Sequence, residues 1–148
     1  MNARFKDRKD AGRILADKLS KYTNHPNAVV LALPRGGVPV AYEVAQELGL
    51  PLDVLIVRKL GVPNHEELAM GAIASGGVRF LNRSVIESLR ILPETLEEVE
   101  RREALELMRR EAIYRGNRSP IRVEGRIVIL IDDGIATGST MRVAIQLL

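Results

Sequence analysis

The sequence predicts an α/β fold built on a parallel sheet, and three observations carry that prediction. Short, almost wholly apolar runs recur at AVVLAL (residues 28–33), LDVLIVRKL (52–60) and RIVILI (126–131), the composition of strands buried on both faces. Helical patterns alternate with these runs. Glycine-bearing turns stand at the carboxyl ends of the strands, where open α/β sheets bind their ligands.

Each element has its own local reason. Asp7 caps a first helix, in which Ala11, Ile14, Leu15, Leu19 and Tyr22 fall at spacings of three and four and form one apolar stripe running to about residue 22. Residues 23–27 break it at Pro26, with His25 a turn residue beside that proline. AVVLAL is the first strand. PRGG (34–37) follows it, then a helix to Leu48 that Gly49 and Pro51 end. The second strand, 52–60, carries Arg58 and Lys59 at its end, and GVPNHEE is a loop after it. LAMGAIAS (68–75) is short and apolar enough for helix or strand; the Gly76-Gly77 turn and VRFL beyond it favour strand. Residues 83–89 form a short helix. Pro93 opens a longer one that reaches Arg115, where Gly116 stops it. A turn at 123–125 leads into RIVILI, the third buried strand, and the loop after it opens a last helix.

The long helix stands apart from this alternation. It is dense in Glu and Arg, with only a thin stripe of Leu96, Val99, Leu105, Met108 and Ala112. Its first reading is a solvated surface helix held by i,i+4 charge pairs; a hood or lid over a site is the alternative. The segment at about 83–116 is therefore a helical insertion in a single domain spanning 1–148. The final residues, MRVAIQLL, stop inside an apolar-periodic pattern, so the sequence-based expectation is that further core strands follow in relatives.

Composition narrows the functional classes. There is no cysteine, which removes disulfides, thiolate metal sites and cysteine nucleophiles. A formal charge of +3 suits an anionic ligand but is too small and too scattered for nucleic acid, and 3% aromatics offer no stacking platform. The opening MNARFKDRKD is charged where a signal peptide needs an apolar core, and no apolar run is long enough for a bilayer. A cytoplasmic protein without membrane or nucleic-acid partners is expected.

The chemistry concentrates in VILIDDGIATGST (128–140). An apolar strand fixes the origin of this loop. Asp132 and Asp133 then offer two carboxylates, acceptors suited to adjacent ribose hydroxyls or to a hydrated Mg2+. Gly134 and Gly138 allow amide N–H groups to converge, Thr137, Ser139 and Thr140 add hydroxyls, and a helix start near Gly138 aims its N–H groups and dipole at a phosphate. One loop thus has a ribose end and a phosphate end. It is not a P-loop, because three residues separate its glycines and Ser139 follows where lysine is required. A dinucleotide-binding glycine fingerprint is absent after every strand.

Residues 128–140 resemble, over their whole length, the phosphoribosyl pyrophosphate motif of the type I phosphoribosyltransferases. The resemblance implies a Rossmann-like parallel core in which Asp132 and Asp133 hold the ribose hydroxyls. Gly134, Ile135, Ala136, Thr137, Gly138, Ser139 and Thr140 then wrap the 5-phosphate. PRGG resembles the family's pyrophosphate loop, which assigns Pro34, Arg35, Gly36 and Gly37 to the diphosphate, where a guanidinium and convergent amides suit it. Arg58 and Lys59 resemble the basic pair that adenine-type members place beside the pyrophosphate; a solvated strand end is the equal alternative. The chain is most similar to a subgroup described as predicted phosphoribosyltransferases, whose Asp-Arg-x-x-Ala-Gly opening stands here as DRKDAGRILADKL.

The implied reaction is displacement of pyrophosphate from the anomeric carbon by a small nitrogenous acceptor, with inversion. Arg35, Asp132 and Asp133 are the residues assigned to catalysis. Mg2+ is the implied cofactor, held by Asp132 and Asp133 mostly through substrate and water. Ala136 stands where 6-oxopurine enzymes carry an acid, which speaks against hypoxanthine or guanine as acceptor. His65 and Glu66 fall in a loop able to close as a lid, although a lone surface histidine is the commoner case, and no general base is assigned. A homodimer is expected by resemblance alone. A non-catalytic phosphoribosyl pyrophosphate or nucleotide sensor is the competing class, and a subunit active only with another chain is a third.

Overall fold

The structure, a computed structural model, describes residues 5–134 and 139–148. Its elements run α1 (Arg8–Lys18), a 3-10 turn (Ser20–Tyr22), β1 (Ala28–Ala32), α2 (Gly37–Leu48) and β2 (Leu52–Val54). After these come β3 (Val57–Val62), β4 (His65–Ala74), β5 (Val78–Leu81), α3 (Arg83–Ser88), α4 (Pro93–Arg115), β6 (Ile127–Ile131) and α5 (Ser139–Leu147). They form two compact units, one from the described residues of Met1–Leu55 and Pro120–Thr137, the other from Ile56–Ser119 and the last helix.

The first unit is the parallel α/β core. β1 lies between β2 and β6, parallel to both, in the order β2-β1-β6. All five residues of β1 are buried, as a run with no polar alternation requires. Val30 and Ala32 pack with Val40, Ala41 and Val44 of α2, and with Ala16 of α1, in one apolar cluster. The Asp7 carboxylate accepts from the Asp10 amide at 2.8 Å, so the cap read from sequence starts α1, which ends at Lys18 before the 3-10 turn. Gly49 ends α2 in the left-handed region, with φ 63°. β6 departs from expectation. Only Ile131 is buried and Ile127 is 36% exposed, because β6 pairs with β1 on one side and with no other strand among the described residues.

The second unit is an antiparallel sheet, β3-β4-β5. Here the reading of 52–60 as one strand is corrected. The chain follows the parallel sheet through Leu55, whose amide donates to Ala32 O at 2.9 Å. It joins the antiparallel sheet at Ile56, whose amide donates to Ser75 Oγ at 3.0 Å. A continuous apolar run has no period that could mark this exchange of partners. GVPNHEE is also corrected: Val62 pairs with His65 across Pro63-Asn64, with Asn64 at φ 66°, a two-residue turn that makes β3 and β4 a hairpin. His65 and Glu66 begin a strand and are not part of a lid loop. The Gly76-Gly77 turn closes the next hairpin as expected, with both φ values positive.

Asn82 caps α3, accepting from the Val85 amide at 3.3 Å, and α4 begins at Pro93 and ends at Gly116 as read. The stripe assigned to α4 is half right. Val99 is buried against Leu60, Val62 and Met70, whereas Leu105 and Met108 are 64% and 65% exposed and Leu107 is the buried residue of that turn. Two charge pairs tie the helix to the antiparallel sheet, Glu103 taking the Arg58 guanidinium at 2.7 Å and Glu100 taking Arg79 at 2.7 Å, while Glu111 takes Arg115 of the same helix at 2.7 Å. The i,i+4 pairs expected on this helix include Glu106 with Arg110 and Glu111 with Arg115.

Glu106 gives a pH-dependent expectation. Hydrogen bonds from Arg109, then Arg110, pull its carboxyl from the usual 4.5 to about 2. A depressed acid contributes stability above its unfolded pKa and loses it as the pH falls through the folded value. Glu106→Gln should therefore lower the melting temperature slightly at neutral pH, by about 2 °C at most for a group so open to water, and the difference should shrink as the pH falls from about 4.5 to about 2 and vanish below it. Thermal melts of both proteins across this range check it; a difference that persists at the acid end would contradict the assigned pairing.

Candidate functional site

Two loops meet at the carboxyl edge of the parallel sheet. After β1 the chain continues through Leu33, whose amide donates to Ile131 O at 2.9 Å, and turns through Pro34, Arg35 and Gly36 into α2. The Pro34–Arg35 peptide is cis. The turn is held by Gly37 N donating to Leu33 O at 3.1 Å and Val38 N donating to Arg35 O at 3.2 Å. Arg35 is exposed at its tip.

The glycines of PRGG are required by proximity to β6. A Cβ on Gly37 would lie 2.7 Å from Ile131 O and 3.1 Å from Asp132 Cα. A Cβ on Gly36 would collide with the Asp133 carboxylate. The predicted pyrophosphate loop and the predicted ribose acids are thus adjacent, and the absence of side chains on 36 and 37 is what lets them approach.

The two acids differ in environment. Asp132 is half-buried at the end of β6, and its Oδ1 accepts from the Asp133 amide at 2.8 Å. Burial pushes its carboxyl up from the ordinary value. Asp133 is more exposed and receives the Arg8 guanidinium on Oδ2 at 3.0 Å, which holds its carboxyl below the ordinary value. Gly134 is exposed and follows directly. The phosphate end of the loop, Ile135, Ala136, Thr137 and Gly138, lies outside the described residues; Ser139 and Thr140 open α5.

Arg58, Lys59 and His65 belong to the second unit. Arg58 is on β3, half-buried and ion-paired with Glu103, so it has a structural partner that the sequence did not reveal. Lys59 is exposed on the same strand. His65 is exposed, 3.7 Å from Glu67, and His25 accepts the Asn27 amide on Nδ1 at 3.0 Å, the turn role expected of it. Sequence reasoning missed two residues. Arg8 stands within DRKDAG, where nothing local connects it to position 133. Asp53 is buried, with its carboxylate accepting from the Val54 amide at 2.7 Å and the Ile121 amide at 2.8 Å, which pins the segment leading into β6.

The phosphoribosyl transferase domain family matches residues 3–148. The chain belongs to this family. Two Mycobacterium tuberculosis proteins, named "Putative phosphoribosyl transferase MT0597" (strain CDC 1551 / Oshkosh) and "Putative phosphoribosyl transferase Rv0571c" (strain H37Rv), are each 51% identical over 142 residues, 96% of this chain. The chain spans 32% of the length of these curated relatives. The crystal structure of TT1426 from Thermus thermophilus superposes with a TM-score of 0.79 at 42% identity, covering 97% of this chain and 67% of that one. The α/β architecture with a parallel sheet is that of a type I phosphoribosyl transferase. No helix among the described residues is long and apolar enough to cross a membrane.

Proposed function

We propose that this phosphoribosyl transferase domain binds phosphoribosyl pyrophosphate and transfers its phosphoribosyl group to a small nitrogenous acceptor. The observation that carries this reading is the contact between the PRGG loop and the acidic pair, with Gly36 and Gly37 against Asp133 and Ile131. A ligand with a ribose between a diphosphate and a 5-phosphate matches that order of groups. Asp132 and Asp133 accept hydrogen bonds from the two ribose hydroxyls. Arg35 and the amides of 36–37 receive the diphosphate at C1, and residues 134–140 receive the 5-phosphate.

In the reaction the acceptor nitrogen forms a bond to the anomeric carbon while the bond to the diphosphate oxygen breaks. The electron pair leaves with pyrophosphate, and the nitrogen gives up its proton to solvent or to a base. No side-chain nucleophile is needed, so this chain's contribution is orientation and charge. Asp132 and Asp133 fix the ribose face, and Arg35 offsets the charge gathering on the leaving group. Two adjacent carboxylates with hard oxygen donors suit Mg2+, which keeps several waters and shares phosphate oxygens. Such an ion supplies charge neutralisation of the diphosphate when bound.

Titration of phosphoribosyl pyrophosphate by calorimetry, with and without Mg2+, tests the ligand, and pyrophosphate release over a panel of nitrogenous bases tests the turnover. Saturable binding strengthened by Mg2+, with release for at least one acceptor, is the expected result. Absence of binding would overturn the reading. Binding without release for any acceptor would replace the enzyme with a sensor.

A further inference from the structure

Arg8 contacts the candidate site through an arrangement that spans α1, α2 and β6. A Cβ on Gly12 of α1 would come 2.5 Å from Glu43 Cβ and 2.9 Å from Val40 O, so the two helices touch at that glycine. One helical turn earlier on α1 is Arg8; one turn before Val40 is Gly36. Both meet Asp133: Arg8 Nη2 donates to its Oδ2 at 3.0 Å, and its carboxylate fills the space where a Gly36 side chain would be. The close helix contact at Gly12 therefore brings a second guanidinium to the edge of the PRGG loop.

The neighbouring acids leave this guanidinium available. Asp7 accepts the Asp10 amide at 2.8 Å, and Asp10 accepts the Lys6 amide at 3.0 Å, so both cap the helix. Asp133 is the acidic partner of Arg8 among the described residues. The Arg8 side chain is 58% exposed, and an ion pair so open to water is weak and easily exchanged. A diphosphate offers a guanidinium more charge and paired oxygens in bidentate geometry. Asp133, for its part, must release its oxygens to hold ribose hydroxyls.

Resting on the ligand reading above, we propose that Arg8 is a diphosphate-binding residue. In the free chain it rests on Asp133, and on binding it passes to the diphosphate while Asp133 turns to the ribose. The two changes are coupled, since each group gives up the other for a ligand atom.

The test compares the dissociation constants of phosphoribosyl pyrophosphate, inorganic pyrophosphate and ribose 5-phosphate for the wild-type chain, Arg8→Ala and Arg8→Lys. Arg8→Ala should weaken the first two by about tenfold or more, as expected for loss of a charge-assisted contact, and Arg8→Lys should recover part of the loss. Ribose 5-phosphate, which lacks the diphosphate, should change by less than about twofold or bind more tightly, because Asp133 is freed. Equal weakening of ribose 5-phosphate would mean that Arg8 acts only by orienting Asp133, and no change with any ligand would mean a surface pair; either overturns the proposal. A wild-type chain that binds neither phosphoribosyl pyrophosphate nor pyrophosphate would overturn the site reading itself, before any substitution is compared.

Discussion

Asp132→Asn combined with Asp133→Asn is expected to weaken phosphoribosyl pyrophosphate binding by at least about 100-fold while leaving the domain folded. Hydrogen bonds to an ionised acceptor are stronger than neutral ones by about 1.5 kcal/mol, so losing the charge at two of them costs about 3 kcal/mol, a factor of about 100. The fold has little at stake in these two charges. The Asp133 side chain is 36% exposed and its ion pair with Arg8 is open to solvent. Asp132 accepts the Asp133 amide through Oδ1, an atom asparagine retains. Calorimetric titration with a thermal melt on the same protein reads both effects. Affinity within about threefold of wild type would remove the ribose contact from these residues, and a large fall in melting temperature would make them structural.

Gly37→Ala should act in the opposite way, through stability. Its new methyl would face Ile131 O at 2.7 Å and Asp132 Cα at 3.1 Å, and both are backbone. No rotamer relieves such a contact. Ile131 O is already held by the Leu33 amide, and Ile131 is paired with Ala32, so the clash must part the β1–α2 loop from β6. Overpacking of this kind costs about 2 kcal/mol, which lowers the melting temperature by about 4–8 °C in a domain of this size. Gly36→Ala is the internal control. There the nearest obstruction is the Asp133 carboxylate, which can rotate away, while the Asp133 Cβ at 2.9 Å yields only by a small shift of its backbone. It should lower the melting temperature by less than Gly37→Ala does and weaken the ligand. If Gly37→Ala melts with wild type, the loop and β6 are not as close as described.

Much of the site was legible because it is local. β1, the PRGG turn, β6 and the acidic pair each lie in a few consecutive residues, and apolar runs, glycines and adjacent acids declare themselves without knowledge of their neighbours. The Asp7 cap and the Gly49 stop were equally local, each a side-chain or left-handed backbone device within four residues. The phosphate end of the loop, 135–138, remains a sequence assignment because it lies outside the described residues.

What was misread depends on partners distant in sequence. Leu55 and Ile56 are both apolar and buried, yet one bonds to Ala32 and the other to Ser75, and no pattern in 52–60 distinguishes them. Pro63-Asn64 did carry a turn signal, but its reading as a hairpin required knowing that both flanks were strands. Arg58 read equally as half of a basic pair beside a diphosphate and as a solvated strand end, and only the packing of α4 supplied Glu103.

By itself, then, the sequence determined the parallel core, the family and the two loops that define the candidate ligand, since short-range composition encodes each. The tertiary structure decided which residues outside those loops share the site. Arg8 and Asp133 are 125 positions apart, and their meeting follows from a helix contact at Gly12 that leaves no periodic trace in the chain. Local patterns are set by backbone preference and burial, whereas a long-range pair is set by the packing of whole elements.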